Sequence, residues 1–214
     1  MDINRGDKME YLTSMASNDF TMNAQAKARA KKDDFYTKYV DRPWRGNINT
    51  TLVRTSRGRT IMIQHDVSSP RPYSRIHLLS GTKGIAHKYP KQYIAFGHKE
   101  VSAKYMRVLH KKFTPEIITR IGEMAKQVGG HGGMDFLMDW SLINSLRNGL
   151  AVDMDCYDAA LWSCITPLSI ESIANRSNSV DVPDFTRGGW KTNKPVALKL
   201  AAATGVKKVK KDAS

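Results

Sequence analysis

Residues 49–67 read NTTLVRTSRGRTIMIQHDV, and this stretch decides the predicted fold. Thr51, Val53 and Thr55 alternate with other side chains and so share one face of an extended segment. A turn signal at residues 56–59 is followed by a second alternating run. The stretch therefore predicts an antiparallel hairpin with one face available for a core.

Outward from this hairpin, the periodicity of the sequence changes twice. Short alternating runs separated by turns predict an open antiparallel sheet over residues 49–97. Helical periodicity then dominates residues 114–176, whereas residues 1–48 form a mostly polar lead-in. A sheet followed by helices predicts the α+β class, and we expect one domain over residues 1–198.

Capping and breaking residues predict where individual elements begin and end. Asn23 is expected to cap a short, basic, Ala-rich helix, and residues 74–80 are expected to form a strand. Gly129 is expected to end a helix that starts near Thr114. A later helix is expected to break or kink at Pro167.

Composition excludes several classes of protein. Hydrophobic residues make up 41% of the 214 residues, which excludes a wholly disordered chain. The net charge of +14 lies partly in residues 199–214, which we expect to be a disordered basic tail. The basic residues do not form a stripe interleaved with aromatic residues, as a surface that stacks bases would. We therefore expect no nucleic-acid partner. No apolar run approaches the roughly 20 residues that a membrane span requires.

The two cysteines, Cys156 and Cys164, are eight residues apart in a predicted helix. Eight helical residues span about 12 Å, whereas bridged Cα atoms usually lie within about 7 Å. We therefore expect no disulfide between them. The sequence also has no zinc-binding spacing of cysteine and histidine, and we predict no metal site.

The segment Gly129-Gly130-His131-Gly132-Gly133 joins two predicted helices. In one interpretation the glycines only end one helix and allow a left-handed turn before the next. In the other, four glycines allow the backbone to approach something closely, or allow the loop to move. His131 would then lie just before a helix amino terminus, where an imidazole can transfer protons. The spacing leaves both interpretations open.

Four further residues are weaker site candidates. Tyr157, in the first turn of a predicted helix, is either a partly buried aromatic or a binding residue. Arg71, Tyr73 and Arg75 follow one another in a proline-rich stretch. They suit the binding of hydroxyls or phosphate, or else they are charges that protect a sheet edge.

Several longer motifs together resemble glycoside hydrolase family 109. They are QHDVSSPRPYSR at 64–75, LSGTKG at 79–84, GGHGGMD at 129–135, RNGL at 147–150, YDAA at 157–160 and VPDFTRG at 182–188. The resemblance implies an NAD-dependent, retaining α-N-acetylgalactosaminidase related to glucose-fructose oxidoreductases. It implies that His131 acts in the active site and that Tyr157 contacts substrate or cofactor.

In that family a Rossmann domain precedes a domain with an open antiparallel sheet. The resemblance implies that NAD transiently oxidises the sugar at C3 so that the glycosidic bond leaves by elimination. The Rossmann fingerprint and the family's Tyr-Pro-Thr-His segment do not occur in this sequence. We therefore expect a carboxy-terminal portion of such an enzyme, inactive alone, whose partners are the missing Rossmann domain and a glycan ending in N-acetylgalactosamine.

The resemblance also suggests a periplasmic or secreted location. A homo-oligomer formed through the sheet is a separate expectation. Two other functions stay open at this point. One is a sugar oxidoreductase of the same superfamily, which would release an oxidised product. The other is a non-catalytic module for oligomerisation or polyanion binding.

Overall fold

In the computed structural model, which describes residues 1–196, the predicted hairpin forms over residues 49–65. Its strands pair antiparallel, with Val53 opposite Ile61 and Thr51 opposite Ile63. Thr51, Val53 and Thr55 are all buried, so the predicted inward face is confirmed.

The chain is α+β, as predicted, with eight strands and five α-helices in the described residues. The strands are β1 Met9–Ala16, β2 Asn49–Thr55, β3 Thr60–His65, β4 Leu78–Gly81, β5 Gly84–His87, β6 Tyr93–Phe96, β7 Lys99–Glu100 and β8 Val180–Asp181. The helices are α1 Met22–Ala30, α2 Ala103–Phe113, α3 Glu116–Val128, α4 Met134–Arg147 and α5 Cys156–Ala174. Short 3-10 turns lie at Asp34–Tyr39, His131–Gly133 and Gly189–Lys191.

These elements divide into two compact units. Unit 1 comprises Met1–Arg71 and Met154–Pro195, and unit 2 contains Pro72–Asp153. The predicted basic tail, residues 199–214, lies outside the described residues.

Unit 1 is built on an antiparallel sheet of order β3-β2-β1-β8, against which α5 packs. Its apolar core combines strand and helix residues: Met9, Leu12, Val53, Leu161 and Val182. A polar layer continues this core. The Ser14 hydroxyl lies 2.9 Å from that of Thr51, which lies 3.0 Å from that of Ser169 on α5. Hydrogen-bonded hydroxyls therefore fill part of the interior.

Unit 2 holds the second antiparallel sheet, of order β4-β5-β6-β7, and the helices α2, α3 and α4. Few of its apolar side chains are buried, and two of the buried ones are only alanines. Many of its large apolar side chains are exposed. The buried ones are Ala95, Leu109, Ile121 and Ala125. The helix α2 was not predicted, although Ser102 caps it by accepting a hydrogen bond from the backbone N–H of Tyr105 at 3.2 Å.

The prediction of one sheet over residues 49–97, after a polar lead-in, was wrong in its extent. Two sheets form, and β1 lies inside residues 1–48, while β8 comes from beyond the helices. The buried face of β1 includes Ser14, which bonds to neighbouring hydroxyls. Because this face is partly polar, hydrophobic periodicity does not reveal the strand.

Two local predictions also need correction. The helix α1 begins at Met22, and its free N–H groups donate to the Asp19 carboxylate, so Asn23 is not the cap. The strand predicted over residues 74–80 is reduced to β4, because Ile76 has a positive φ of 48° that interrupts extended backbone.

The predicted helix was expected to break or kink at Pro167; it does not break there, because Pro167 lies inside α5. A proline removes one backbone hydrogen bond from a helix interior. Tertiary contacts on both sides hold α5 in place, since Cys164 and Leu168 pack on the core and Ser172 accepts a hydrogen bond from the backbone N–H of Ser14 at 2.9 Å. These contacts offset the lost bond.

None of the helices in residues 1–196 combines the length and apolar character needed to cross a bilayer. Both cysteines are free, as predicted from their spacing, with Cys156 exposed and Cys164 half-buried.

Candidate active site

The glycine-flanked histidine lies where the sequence predicts it, in a turn between α3 and α4. Gly129 follows the last residue of α3, and its N–H still donates to the Ala125 carbonyl at 3.0 Å. The turn closes through a hydrogen bond of 2.8 Å from the Gly133 N–H to the Gly130 carbonyl. His131 itself has a positive φ of 46°, an uncommon conformation for a side-chain-bearing residue.

At two of the four glycines, neighbouring atoms lie so close to the backbone that a side chain would not fit. At Gly133, which has a φ of 96°, a Cβ atom would lie 2.7 Å from the backbone carbon of Ala125 on α3. At Gly130, with a φ of 76°, a Cβ atom would lie 2.9 Å from the Oδ2 atom of Asp135. The loop is therefore shaped by contact with α3 on one side and with Asp135 on the other.

Asp135 is the partner of His131, and sequence reasoning did not single it out. The Nδ1 atom of His131 lies 2.8 Å from Oδ2 and 3.1 Å from Oδ1 of Asp135. Both side chains reach solvent, with exposed fractions of 78% for His131 and 49% for Asp135. The sequence signal for this pair is that Asp135 stands four residues after His131 at a predicted helix start, and residues at this spacing can interact on a helix. The pair can hold and transfer a proton at an accessible ring.

The structure brings Tyr73 and Arg75 together but pairs Arg71 elsewhere. In unit 2 the Arg75 Nε donates to the Tyr73 hydroxyl, and the Tyr73 ring meets that of Tyr89 edge to face, 6.1 Å between centroids. In unit 1 the Arg71 guanidinium lies 3.2 Å from the Asp66 carboxylate. Tyr73 and Arg75 thus form a local polar pair on an exposed segment, whereas Arg71 is held by a neighbouring acid.

Tyr157 lies in the first turn of α5, and its ring is about half exposed. The helix begins with a capping box, in which the Asp155 carboxylate accepts from the N–H groups of Tyr157 and Asp158, both at 2.9 Å. Tyr157 is therefore an accessible aromatic on a well-anchored turn. It belongs to unit 1, whereas His131 belongs to unit 2.

The buried group of that turn is Asp158. The Arg5 guanidinium donates to both of its carboxylate oxygens, at 2.9 and 2.7 Å, and Asn4 adds a third bond at 3.1 Å. The hydrogen bond from Arg5 holds the pKa of Asp158 below its ordinary value despite burial. A carboxylate so enclosed stabilises the fold of unit 1 and is not available to a substrate.

Other chemistries find little support in the described residues. Burial raises the pKa of the Cys164 thiol, so it is a poor nucleophile. No group of three or more histidine, cysteine, aspartate or glutamate side chains gathers as metal ligands within residues 1–196. The proton-transfer pair at His131 is thus the chemically strongest arrangement that we find.

A family model described as the glycosyl hydrolase 109 C-terminal domain matches residues 1–192, which is most of the chain. The chain belongs to glycosyl hydrolase family 109. The resemblance inferred from the motifs is therefore confirmed, and so is membership of a glycosidase family.

Curated relatives in family 109 agree with this assignment. Glycosyl hydrolase family 109 protein 2 of Shewanella sp. (strain ANA-3) is 44% identical over 205 residues, which cover 92% of this chain and 44% of the relative. The family 109 protein of Shewanella putrefaciens is 46% identical over 206 residues, with the same coverage of both chains. That of Shewanella amazonensis is 44% identical over 204 residues, again covering 92% of this chain and 44% of the relative. The chain spans less than half the length of the curated relatives it matches.

The described part of this family 109 chain does not form a dinucleotide cradle. Such a cradle needs a strand, a glycine-rich turn and a helix within a parallel βαβ unit. Both four-stranded sheets are antiparallel, and the glycine-rich loop around His131 joins two helices. Residues 1–196 therefore contain no unit of the kind that binds the pyrophosphate of a dinucleotide.

Proposed function

We propose that this chain is the carboxy-terminal, substrate-side portion of an NAD-dependent retaining glycosidase. The enzyme would remove terminal α-linked N-acetylgalactosamine in four steps: transient oxidation at C3, elimination of the aglycone, addition of water, and return of the hydride to C3. The observation that carries the proposal is the accessible His131 ring, whose Nδ1 atom lies 2.8 Å from a carboxylate oxygen of Asp135. Membership of a glycosyl hydrolase family supports a role in glycoside hydrolysis.

The role of His131 in this proposal is proton transfer. Elimination across C1 and C2 of the sugar requires a base to take the C2 proton while the glycosidic oxygen leaves. An accessible imidazole on a loop just before the amino end of α4 is suited to that task. Tyr157 is proposed as a contact to the sugar or the cofactor, because its ring is accessible on an anchored turn.

The remaining candidates would bind and not react. Tyr73 and Arg75 present a hydroxyl and a guanidinium side by side, which suits recognition of sugar hydroxyls or an acetamido carbonyl. Arg71, held by Asp66, is the weaker binder because its guanidinium already has an anionic partner. NAD is proposed as a cofactor of the whole enzyme, bound outside the residues described.

The test is a chimera in which this chain replaces the matching carboxy-terminal portion of a Shewanella relative. We expect NAD-dependent release of N-acetylgalactosamine from an α-linked aryl glycoside. In that chimera, His131→Ala should lower kcat by at least about 10²-fold. The chain alone should release no sugar.

The matched control is His98→Ala, which removes another exposed histidine of unit 2. It should leave kcat unchanged. Full activity of the His131→Ala chimera would remove His131 from the reaction. Accumulation of an oxidised sugar without cleavage would instead establish an oxidoreductase, and sugar release by the chain alone would contradict the proposed division of labour.

A further inference from the structure

We propose that Asp135 is a positioning residue that sets the tautomer of His131. When neutral, His131 carries its proton on Nδ1, directed at the Asp135 carboxylate, so that Nε2 is the basic nitrogen. The idea that Nε2 faces the sugar rests on the proposed function. The assignment of the tautomer does not depend on that function.

The assignment follows from which atoms can donate. An ionised carboxylate only accepts hydrogen bonds, and a neutral imidazole has one donor nitrogen and one acceptor nitrogen. The Nδ1 atom lies within 3.1 Å of both carboxylate oxygens of Asp135. It must therefore be the donor, which leaves the lone pair on Nε2, at the opposite edge of the ring.

The backbone around the pair is built to hold this geometry. His131 adopts a positive φ of 46°, and its Nδ1 atom contacts Asp135 in the first turn of α4. Gly130 lies so close to Asp135 that a Cβ atom would be 3.0 Å from the Asp135 Cβ. The Gly130 carbonyl also accepts from the Asp135 N–H at 3.4 Å, beside its shorter bond from Gly133. An ordinary exposed ion pair needs none of these features.

Asp135 lies in the first turn of α4, four residues after His131, and its carboxylate reaches the imidazole there. The carboxylate is thus available as an acceptor for the imidazole N–H, as the carboxylate partner of a catalytic histidine must be.

The test reads the tautomer directly by NMR of the full ¹⁵N-labelled chain, through the two-bond correlations of the imidazole ring. Spectra are recorded above the pH at which the ring titrates, and the His131 signals are assigned by their loss in His131→Ala. We expect a pyrrole-type Nδ1 and a pyridine-type Nε2 in the natural chain. Asp135→Ala should shift His131 to the Nε2–H form that free histidine prefers.

The matched control is Asp139→Ala, which removes an exposed acid one turn further along α4. It should leave the His131 spectrum unchanged. An Nε2–H tautomer in the natural chain, or an unchanged spectrum in Asp135→Ala, would overturn the inference.

A second readout separates this inference from the proposed function. In the chimera described above, Asp135→Ala should lower kcat at least about 10-fold with little change in KM, and Asp139→Ala should not. If the tautomer shifts as expected but His131→Ala keeps full activity, the positioning role of Asp135 stands and the catalytic role of His131 fails. If the tautomer does not shift, the positioning role fails whatever the activity.

Discussion

Asp158 in unit 1 and Asp135 in unit 2 occupy similar local positions but differ in what surrounds them. Each lies in the first turn of a helix and each has a basic partner, Arg5 for Asp158 and His131 for Asp135. The exposed side-chain fraction is 6% for Asp158 and 49% for Asp135. The same residue type at the same kind of helix end therefore serves the fold in one unit and is accessible for chemistry in the other.

The energetics of the two pairs differ for the same reason. Removing one partner of a buried ion pair leaves the other charge without compensation in a medium that solvates it poorly. Removing one partner of an exposed pair lets water replace it, and such pairs contribute little to stability. Burial, and not the type of residue, decides which acid the fold depends on.

The largest expected effect is that of Asp158→Ala, which should lower the free energy of unfolding by about 3–5 kcal/mol. It leaves the Arg5 guanidinium, whose side chain is 14% exposed, without its bidentate partner and with only the longer, more exposed pair to Asp155 at 3.4 Å. Asp135→Ala should lower the same quantity by less than about 1 kcal/mol. Urea unfolding of both variants measures the difference, and equal losses would break the comparison.

A smaller loss is expected in unit 2 from Gly133→Ala, about 2–3 kcal/mol from positive φ and from contact with the α3 backbone. Gly132→Ala is the matched control, because Gly132 has a positive φ of 71° but no atom within 4 Å of its Cβ position. It should cost only about 1 kcal/mol. Urea unfolding distinguishes the two, and equal costs would mean that close approach to α3 does not constrain the loop.

The smallest expected effect is on stability in acid, and it should be confined to unit 1. The hydrogen bond from Arg5 lowers the pKa of Asp158. Burial alone would raise that of Asp7, but bonds from Thr55, Arg57 and Lys8 bring it below its ordinary value. A carboxyl with a lowered folded-state pKa contributes stability above its unfolded-state pKa, about 3.9, and loses it as the pH falls through the lower folded value.

We therefore expect the free energy of unfolding to be steady above about pH 5 and to fall below about pH 4. Asp7→Asn should flatten this fall, as measured by urea unfolding across that range, although it lowers stability at neutral pH. A slope that Asp7→Asn does not change would show that other carboxyls control acid stability.

Sequence patterns predicted the parts of the molecule where apolar periodicity and turn chemistry agree. The buried face of β2, the end of α3 at Gly129 and the start of α4 after His131 all lie where expected. The pattern failed for β1, whose buried Ser14 looks like a surface residue until its hydroxyl partners are known. A break at Pro167 does not occur, because packing on the sheet offsets one lost hydrogen bond.

The candidate site shows the same limit. His131 was found from its glycines, and Tyr157 from its motif, but Asp135 was not singled out although it stands four residues after His131. The role of Asp135 depends on the positive φ of His131 and on the contact with Gly130. The spacing of residues in the sequence specifies neither feature. Arg71 likewise seemed equivalent to Arg75 until the structure paired it with Asp66.

By itself the sequence determined the α+β class, the family and the histidine around which the chemistry is proposed. These follow from local patterns and from motifs long enough to be specific. The tertiary structure alone decided which aspartate is buried with Arg5 and which stays exposed beside His131. Burial depends on contacts between residues far apart in the chain, such as Arg5 and Asp158, and no local pattern contains that information.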